Sequence, residues 1–74
     1  MGRIEFIVEV EGNPISRLAV APGQLERCRF AAIETANEAA TGKHPAFVFM
    51  IEAPWDIGPM VGDRQLVYEA APKG

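Results

Sequence analysis

The sequence predicts a small single α+β domain in which one helix packs on one face of a mainly antiparallel, four-stranded sheet, in the order β-β-α-β-β. Two observations lead to this prediction. Only residues 22–42 have the composition and apolar spacing of a helix. The segments on either side alternate apolar and polar side chains, or form short apolar runs between Gly and Pro, as strands do. A length of 74 residues suits one domain, residues 1–74, near the lower size limit for a single core.

The first two strands are predicted to form an antiparallel hairpin. One face of residues 3–11 carries the apolar side chains Ile4, Phe6, Val8 and Val10. The other face is charged, except for Ile7. Residues 12–14, Gly-Asn-Pro, are typical of a turn, and residues 15–20 return as a shorter strand with Leu18 and Val20 facing inward.

The helix is predicted over residues 22–41, with Pro22 in its first turn and Gly42 as a left-handed stop. Its apolar stripe consists of Leu25, Cys28, Ala32, Ala36 and Ala39. Most of these side chains are small, so we expect the helix to lie close to the sheet. Phe30 lies off this stripe and points toward water, either as a partly covered surface aromatic or as a contact residue.

Two more strands follow, over residues 46–53 and 65–70, and they decide which surface stays uncovered. We expect the helix to cover Phe6, Val8, Leu18, Phe47, Phe49, Ile51, Leu66 and Tyr68. The opposite face then retains an apolar patch of Ile7, Val48, Met50 and Val67, ringed by Glu5, Glu9, Glu52 and Glu69. Such a patch favours an interaction surface, the alternative being scattered apolar residues that are merely tolerated.

The loop over residues 54–64 is a second candidate contact region. Loops of about eleven residues inside a small domain are uncommon and often functional. This one carries the large apolar side chains Trp55, Ile57, Met60 and Val61, and Trp and Met are typical of interface contacts. The alternative is that the loop folds back and caps the open end of a small core.

The residues that carry chemistry are few and scattered, so no catalytic site, metal site or cofactor is predicted. Ser16 and His44 are the only Ser and His, and neither has a partner motif. A single Cys, Cys28, on the apolar stripe predicts a buried thiol in a reducing cytoplasm. The acidic net charge of −3, without a basic stripe, argues against direct nucleic-acid binding. Neither a signal peptide nor a membrane-spanning run is expected.

These observations predict a cytoplasmic, non-catalytic protein–protein interaction module. Its expected action is that of an inhibitor or accessory protein that occupies a partner's surface, as phage or mobile-element inhibitors of the anti-CRISPR type do. That class is suggested by the small size and the lack of catalytic chemistry, and not by any sequence motif. The alternative is a small-ligand binding or enzymatic subunit whose pocket forms at an oligomer interface. A homodimer through the uncovered sheet face would bury the apolar patch without further sequence.

Overall fold

The computed structural model describes residues 3–53 and 64–72, and the predicted order of elements is confirmed. The elements are β1 (Arg3–Val10), β2 (Asn13–Ala19), α1 (Leu25–Ala39), β3 (Ala46–Ala53) and β4 (Gln65–Ala70). The four strands form one open antiparallel sheet in the order β2-β1-β3-β4, on which α1 packs. The molecule is thus a small α+β fold. Within the described residues, no helix has the length and apolar character needed to cross a membrane.

The hairpin between β1 and β2 turns over two residues. Val10 pairs with Asn13, and the residues between them, Glu11 and Gly12, have φ angles of 54° and 79°. Two successive positive φ angles are typical of a type I′ turn, whose twist matches that of the flanking strands. The turn therefore begins one residue earlier and ends two residues earlier than the predicted Gly-Asn-Pro turn. Pro14 lies inside β2, which tolerates proline because it is an edge strand.

Helix α1 is shorter than predicted at both ends. Pro22 and Gly23 are the central residues of a tight turn, in which the Gln24 amide donates to the Ala21 carbonyl at 3.0 Å. Gly23 has a φ of 77°, as the third position of a type II turn requires, and proline suits the second. The prediction of Pro22 inside the helix is therefore wrong. Gly42 does not have a positive φ, and the helix ends at Ala39 with Ala40 as an extended cap.

The sheet register corrects the assignment of faces. Phe6 pairs with Met50, and Val8 with Val48, so the even-numbered residues of β3 lie on the helix side. The predicted placement of Phe47, Phe49 and Ile51 under the helix is wrong, and so is that of Leu66, which pairs with Phe49. The physical reason is that β3 is apolar at six consecutive positions, so its alternation does not distinguish the two faces.

The core lies between the sheet and the alanine stripe of α1. It contains Phe6, Val8, Ala32, Ala36, Ala40, Ala46, Val48 and Ala70. Alanine on both sides lets the helix lie close to the strands, so small residues fill the space. Burying each of the larger side chains, Phe6, Val8 and Val48, contributes about 1.5–3 kcal/mol. The Tyr68 hydroxyl donates to Asn37 Oδ1 at 2.9 Å and ties β4 to the helix.

Candidate interaction surfaces

The sheet face that points away from α1 combines aromatic and aliphatic side chains with paired charges. Its apolar residues, placed by the strand register, are Ile7, Phe47, Phe49, Ile51 and Leu66. Ile7 and Ile51 retain only 2% and 5% of their accessible surface, whereas Leu66, on edge strand β4, is 56% exposed. The rings of Phe47 and Phe49 lie 6.3 Å apart between centroids. This face therefore exposes its apolar surface mainly at the β4 edge.

An ion pair spans this face from β1 to the residue directly before β4, across the intervening strand β3. Arg64, directly before β4, binds the carboxylate of Glu9 on β1. To reach it, the guanidinium passes over β3, and its Cζ lies 4.4 Å from the centroid of the Phe49 ring. Glu9 is buried, and its ion pair with Arg64 offsets the cost of removing the carboxylate from water. The contact with the Phe49 ring holds the guanidinium in place.

A second ion pair neutralises another carboxylate on the same face. Arg17 on β2 lies 3.4 Å from Glu5 on β1. Glu52 pairs with Ile4 across the strands, which places it on the helix side instead. Of the four carboxylates predicted to ring the patch, two are therefore paired and one lies on the other face. Repulsion between like charges is weaker here than the sequence suggests.

The predicted apolar patch does not form as a unit. Val48 is fully buried in the core under α1, and Met50 packs against that core. Val67 is the additional residue at a β-bulge in β4 and also packs against the core. The placement of these three residues on the uncovered face is wrong. Ile7 does lie on that face, although it is almost completely buried. Trp55, Ile57, Met60 and Val61 lie outside the described residues.

The outward face of α1 presents the most exposed large apolar side chain in the described part of the chain. Phe30 is 63% exposed, as the helical spacing predicts. It lies at a shallow hollow that is lined by Glu26, Arg27, Arg29, Phe30 and Ile33. The carboxylate of Glu26 and the guanidinium of Arg29 form an ion pair of 2.6 Å at one side of the hollow. We define Phe30 and Ile33, with the charged residues beside them, as the outer helix face.

Three further charges, those of Arg27, Glu34 and Glu38, are separated by sign along one flank of this helix. Arg27 lies in the first turn, and Glu34 and Glu38 lie seven and eleven residues later. All three are exposed. At about 100° per residue they follow one flank of Phe30. Sequence reasoning missed this pattern, although the spacing of seven and eleven residues is a signal that the helical period makes visible.

The remaining chemically reactive side chains lie apart from one another. The Cys28 thiol is half-buried on the inner side of α1, where it donates to the Ala19 carbonyl over 4.0 Å. His44 Nε2 lies 3.3 Å from Glu11 Oε1 beside the hairpin turn, on the molecular surface. Among the residues that the structure describes, no three His, Cys, Asp or Glu side chains cluster closely enough to hold a metal ion.

Comparison with protein-family models, with curated proteins and with solved structures finds no match for this chain.

Proposed function

We propose that the protein is a non-catalytic protein–protein interaction module that binds its partner through the outer helix face. The observation that carries this proposal is the exposure of Phe30, 63%, at a hollow that is also lined by the charged residues Glu26, Arg27 and Arg29. Aromatic residues and arginine are enriched among the residues that dominate binding energy at protein interfaces. An apolar centre surrounded by charged side chains has the same arrangement as a protein-binding patch.

The position of Phe30 in the fold supports the outer helix face over the other surfaces. The opposite side of α1 supplies the core through Ala32 and Ala36, so Phe30 is not needed for packing. Leu66 and Ile15 are also exposed, but both lie on edge strands of the sheet. Phe30 instead lies one turn before the half-buried Ile33 on α1. A partner that covers the two side chains together would remove a contiguous apolar area from water.

The mode of action that fits such a surface is occupation of a partner's surface, as an inhibitor or an accessory protein does. The hollow is shallow and is lined by two arginines and one glutamate rather than by a buried, preorganised set of catalytic groups. A shallow, mixed-charge surface suits a protein partner better than a small molecule, which needs a concave site.

Affinity capture with matched variants tests the proposal. Tagged wild type, Phe30→Ser and Leu66→Ser would each be used to capture proteins from the cells that express the chain, with quantitative mass spectrometry as the measurement. We expect a stoichiometric protein, which can be a second copy of the chain, to bind wild type and Leu66→Ser. We expect its recovery to fall about tenfold or more with Phe30→Ser, because the central contact is lost.

The two variants are matched because both remove an exposed apolar side chain. Neither substitution should reduce the free energy of unfolding by more than about 0.5 kcal/mol, and thermal unfolding checks this. A partner that is lost with Leu66→Ser and retained with Phe30→Ser would move the interface to the sheet. A specific thermal stabilisation by a metabolite, without any protein partner, would contradict the proposal and favour a ligand-binding subunit.

A further inference from the structure

We infer that the partner of the outer helix face is a second copy of this chain, bound by antiparallel pairing of the two α1 helices about a two-fold axis. This inference rests on the proposed function and names the partner for the same surface. It replaces the homodimer expected from the sequence, which required Val48 and Met50 on an uncovered sheet face.

The charges of Arg27, Glu34 and Glu38 complement themselves when two copies of the helix pair in opposite directions. From Phe30, at about 100° per residue, Arg27 lies about 60° around the helix, Glu34 about 40° and Glu38 about 80°, all toward one side. A two-fold axis perpendicular to two antiparallel helices brings this same flank of both copies together, in opposite chain directions. Arg27 of each copy then lies opposite the Glu34 and Glu38 pair of the other. The contact occurs twice because the interface is symmetric.

The same three charges are unfavourably placed within a single helix. Glu34 and Glu38 are one turn apart and carry like charges, which destabilises a helix. Glu38 lies in the last turn, which contains no basic residue, and Arg27 lies in the first turn. Both positions oppose the helix dipole, which favours acids at the start and bases at the end. An antiparallel second helix makes each of these positions favourable, since its acidic end lies beside Arg27 and its Arg27 lies beside Glu34 and Glu38.

Within the described residues, no neighbour already neutralises these three side chains. The ion pairs of that part of the chain involve Glu26 and Arg29 on α1, but neither Arg27, Glu34 nor Glu38. Because all three residues are exposed, their charged groups remain available to a second molecule.

The apolar residues of the outer helix face lie close to the midpoint of α1, where a two-fold axis between two paired helices would pass. α1 extends over Leu25–Ala39, so its midpoint is Ala32, and Phe30 and Ile33 lie on either side of that level. An antiparallel pairing centred there places Phe30 of one copy against Ile33 of the other. The hollow beside Phe30 then receives an apolar side chain, and the charged flank surrounds it.

The size of the contact predicts a weak and concentration-dependent dimer. A helix of 15 residues is about 22 Å long, and one such pair buries less surface than a standard stable interface. We therefore expect association in the range from about 10 μM to about 1 mM.

Sedimentation equilibrium with charge-reversal variants tests the inference. The samples are wild type, Arg27→Glu, the double variant Glu34→Lys/Glu38→Lys, and an equimolar mixture of the two variants. We expect wild type to dimerise and each variant alone to associate at least about tenfold more weakly, because like charges then face each other. The mixture should regain dimers, because the carboxylate introduced by Arg27→Glu would lie opposite the lysines introduced in the double variant.

Glu69→Lys is the matched control, since it reverses an exposed carboxylate on the sheet and should leave the dimer unchanged. Circular dichroism establishes that every variant is folded. A wild type that is monomeric at about 1 mM, or a mixture no better associated than its components, would overturn the inference. If Phe30-dependent capture of a different protein persists in that case, the proposed function stands and only its partner is wrong. If the wild type neither dimerises nor captures a protein through Phe30, the proposed function is contradicted as well.

Discussion

Ala32 and Phe30 show how the size and position of single side chains assign one side of α1 to core packing and the other to the surface. Ala32 is 3% exposed and contacts the core, whereas Phe30, two residues earlier, is 63% exposed on the outer helix face. A helix turns about 100° per residue, so residues two apart lie on different sides. The small residue permits close packing on the sheet, and the large one is left for contact with another molecule.

Substitution of Ala32 by Leu tests the inner side of the helix. We expect Ala32→Leu to lower the free energy of unfolding by about 1–3 kcal/mol, because the added carbons overpack a close helix–sheet contact. Ala31→Leu is the control, since Ala31 is exposed on the same helix and should tolerate the change. Chemical denaturation measures both. Equal effects of the two substitutions would mean that Ala32 does not face the sheet.

The ion pair of Arg64 and Glu9 makes a second prediction at the scale of single residues. Arg64→Met keeps the stem over Phe49 but leaves the buried Glu9 carboxylate without its cation. We expect a loss of about 1–2 kcal/mol, below the range for fully buried pairs because the Arg64 side chain is 43% exposed. Arg17→Met, which breaks the more exposed pair with Glu5, should cost about 0.5 kcal/mol or less.

A double-mutant cycle separates this ion pair from other effects of the substitutions. Combining Arg64→Met with Glu9→Gln should cost less than the sum of the single changes, since Gln leaves no unpaired charge. Strict additivity in denaturation experiments would show that the two side chains are not coupled.

At the scale of elements, the sequence predicts strands better than faces or helix ends. β3 and β4 have the predicted bounds, because Gly and Pro delimit them clearly. The faces of β3 could not be predicted, since its apolar residues occupy both alternating sets. The start of α1 was also ambiguous, because Pro22–Gly23 suits the first helical turn and a type II turn equally well. The ion pair between Glu9 and Arg64 joins residues that no local pattern connects.

The two glycines near the ends of α1 give a prediction for this scale. Gly23 has a φ of 77°, so Gly23→Ala forces an L-residue into a left-handed conformation, although its Cβ would meet no neighbour. We expect a loss of about 1 kcal/mol. Gly42→Ala is the control, because Gly42 lacks a positive φ, and its effect should be neutral or slightly stabilising. Thermal unfolding measures both variants. A larger loss with Gly42→Ala than with Gly23→Ala would indicate a left-handed helix stop at Gly42 instead.

At the scale of the whole molecule, α1 contributes to two surfaces: one side packs on the sheet, and the other faces outward. Its alanine stripe closes the core on β1 and β3, and Phe30 on the outer helix face stays exposed. The sheet's other face neutralises Glu5 and Glu9 through Arg17 and Arg64. The sign-separated charges that remain on α1 are those that a second molecule can use. Exposure of Phe30 was predictable from helical spacing, but the choice between helix and sheet as the interface required the register of β3.

Pairing of two copies through the outer helix face is best tested by a concentration series of amide ¹H–¹⁵N spectra of the wild-type protein. We expect the resonances that shift with concentration to cluster at Arg27, Phe30, Ile33, Glu34 and Glu38, while those of β3 and β4 stay constant. Shifts that cluster at Phe47, Phe49 and Leu66 instead, or spectra that do not change up to about 1 mM, would contradict it.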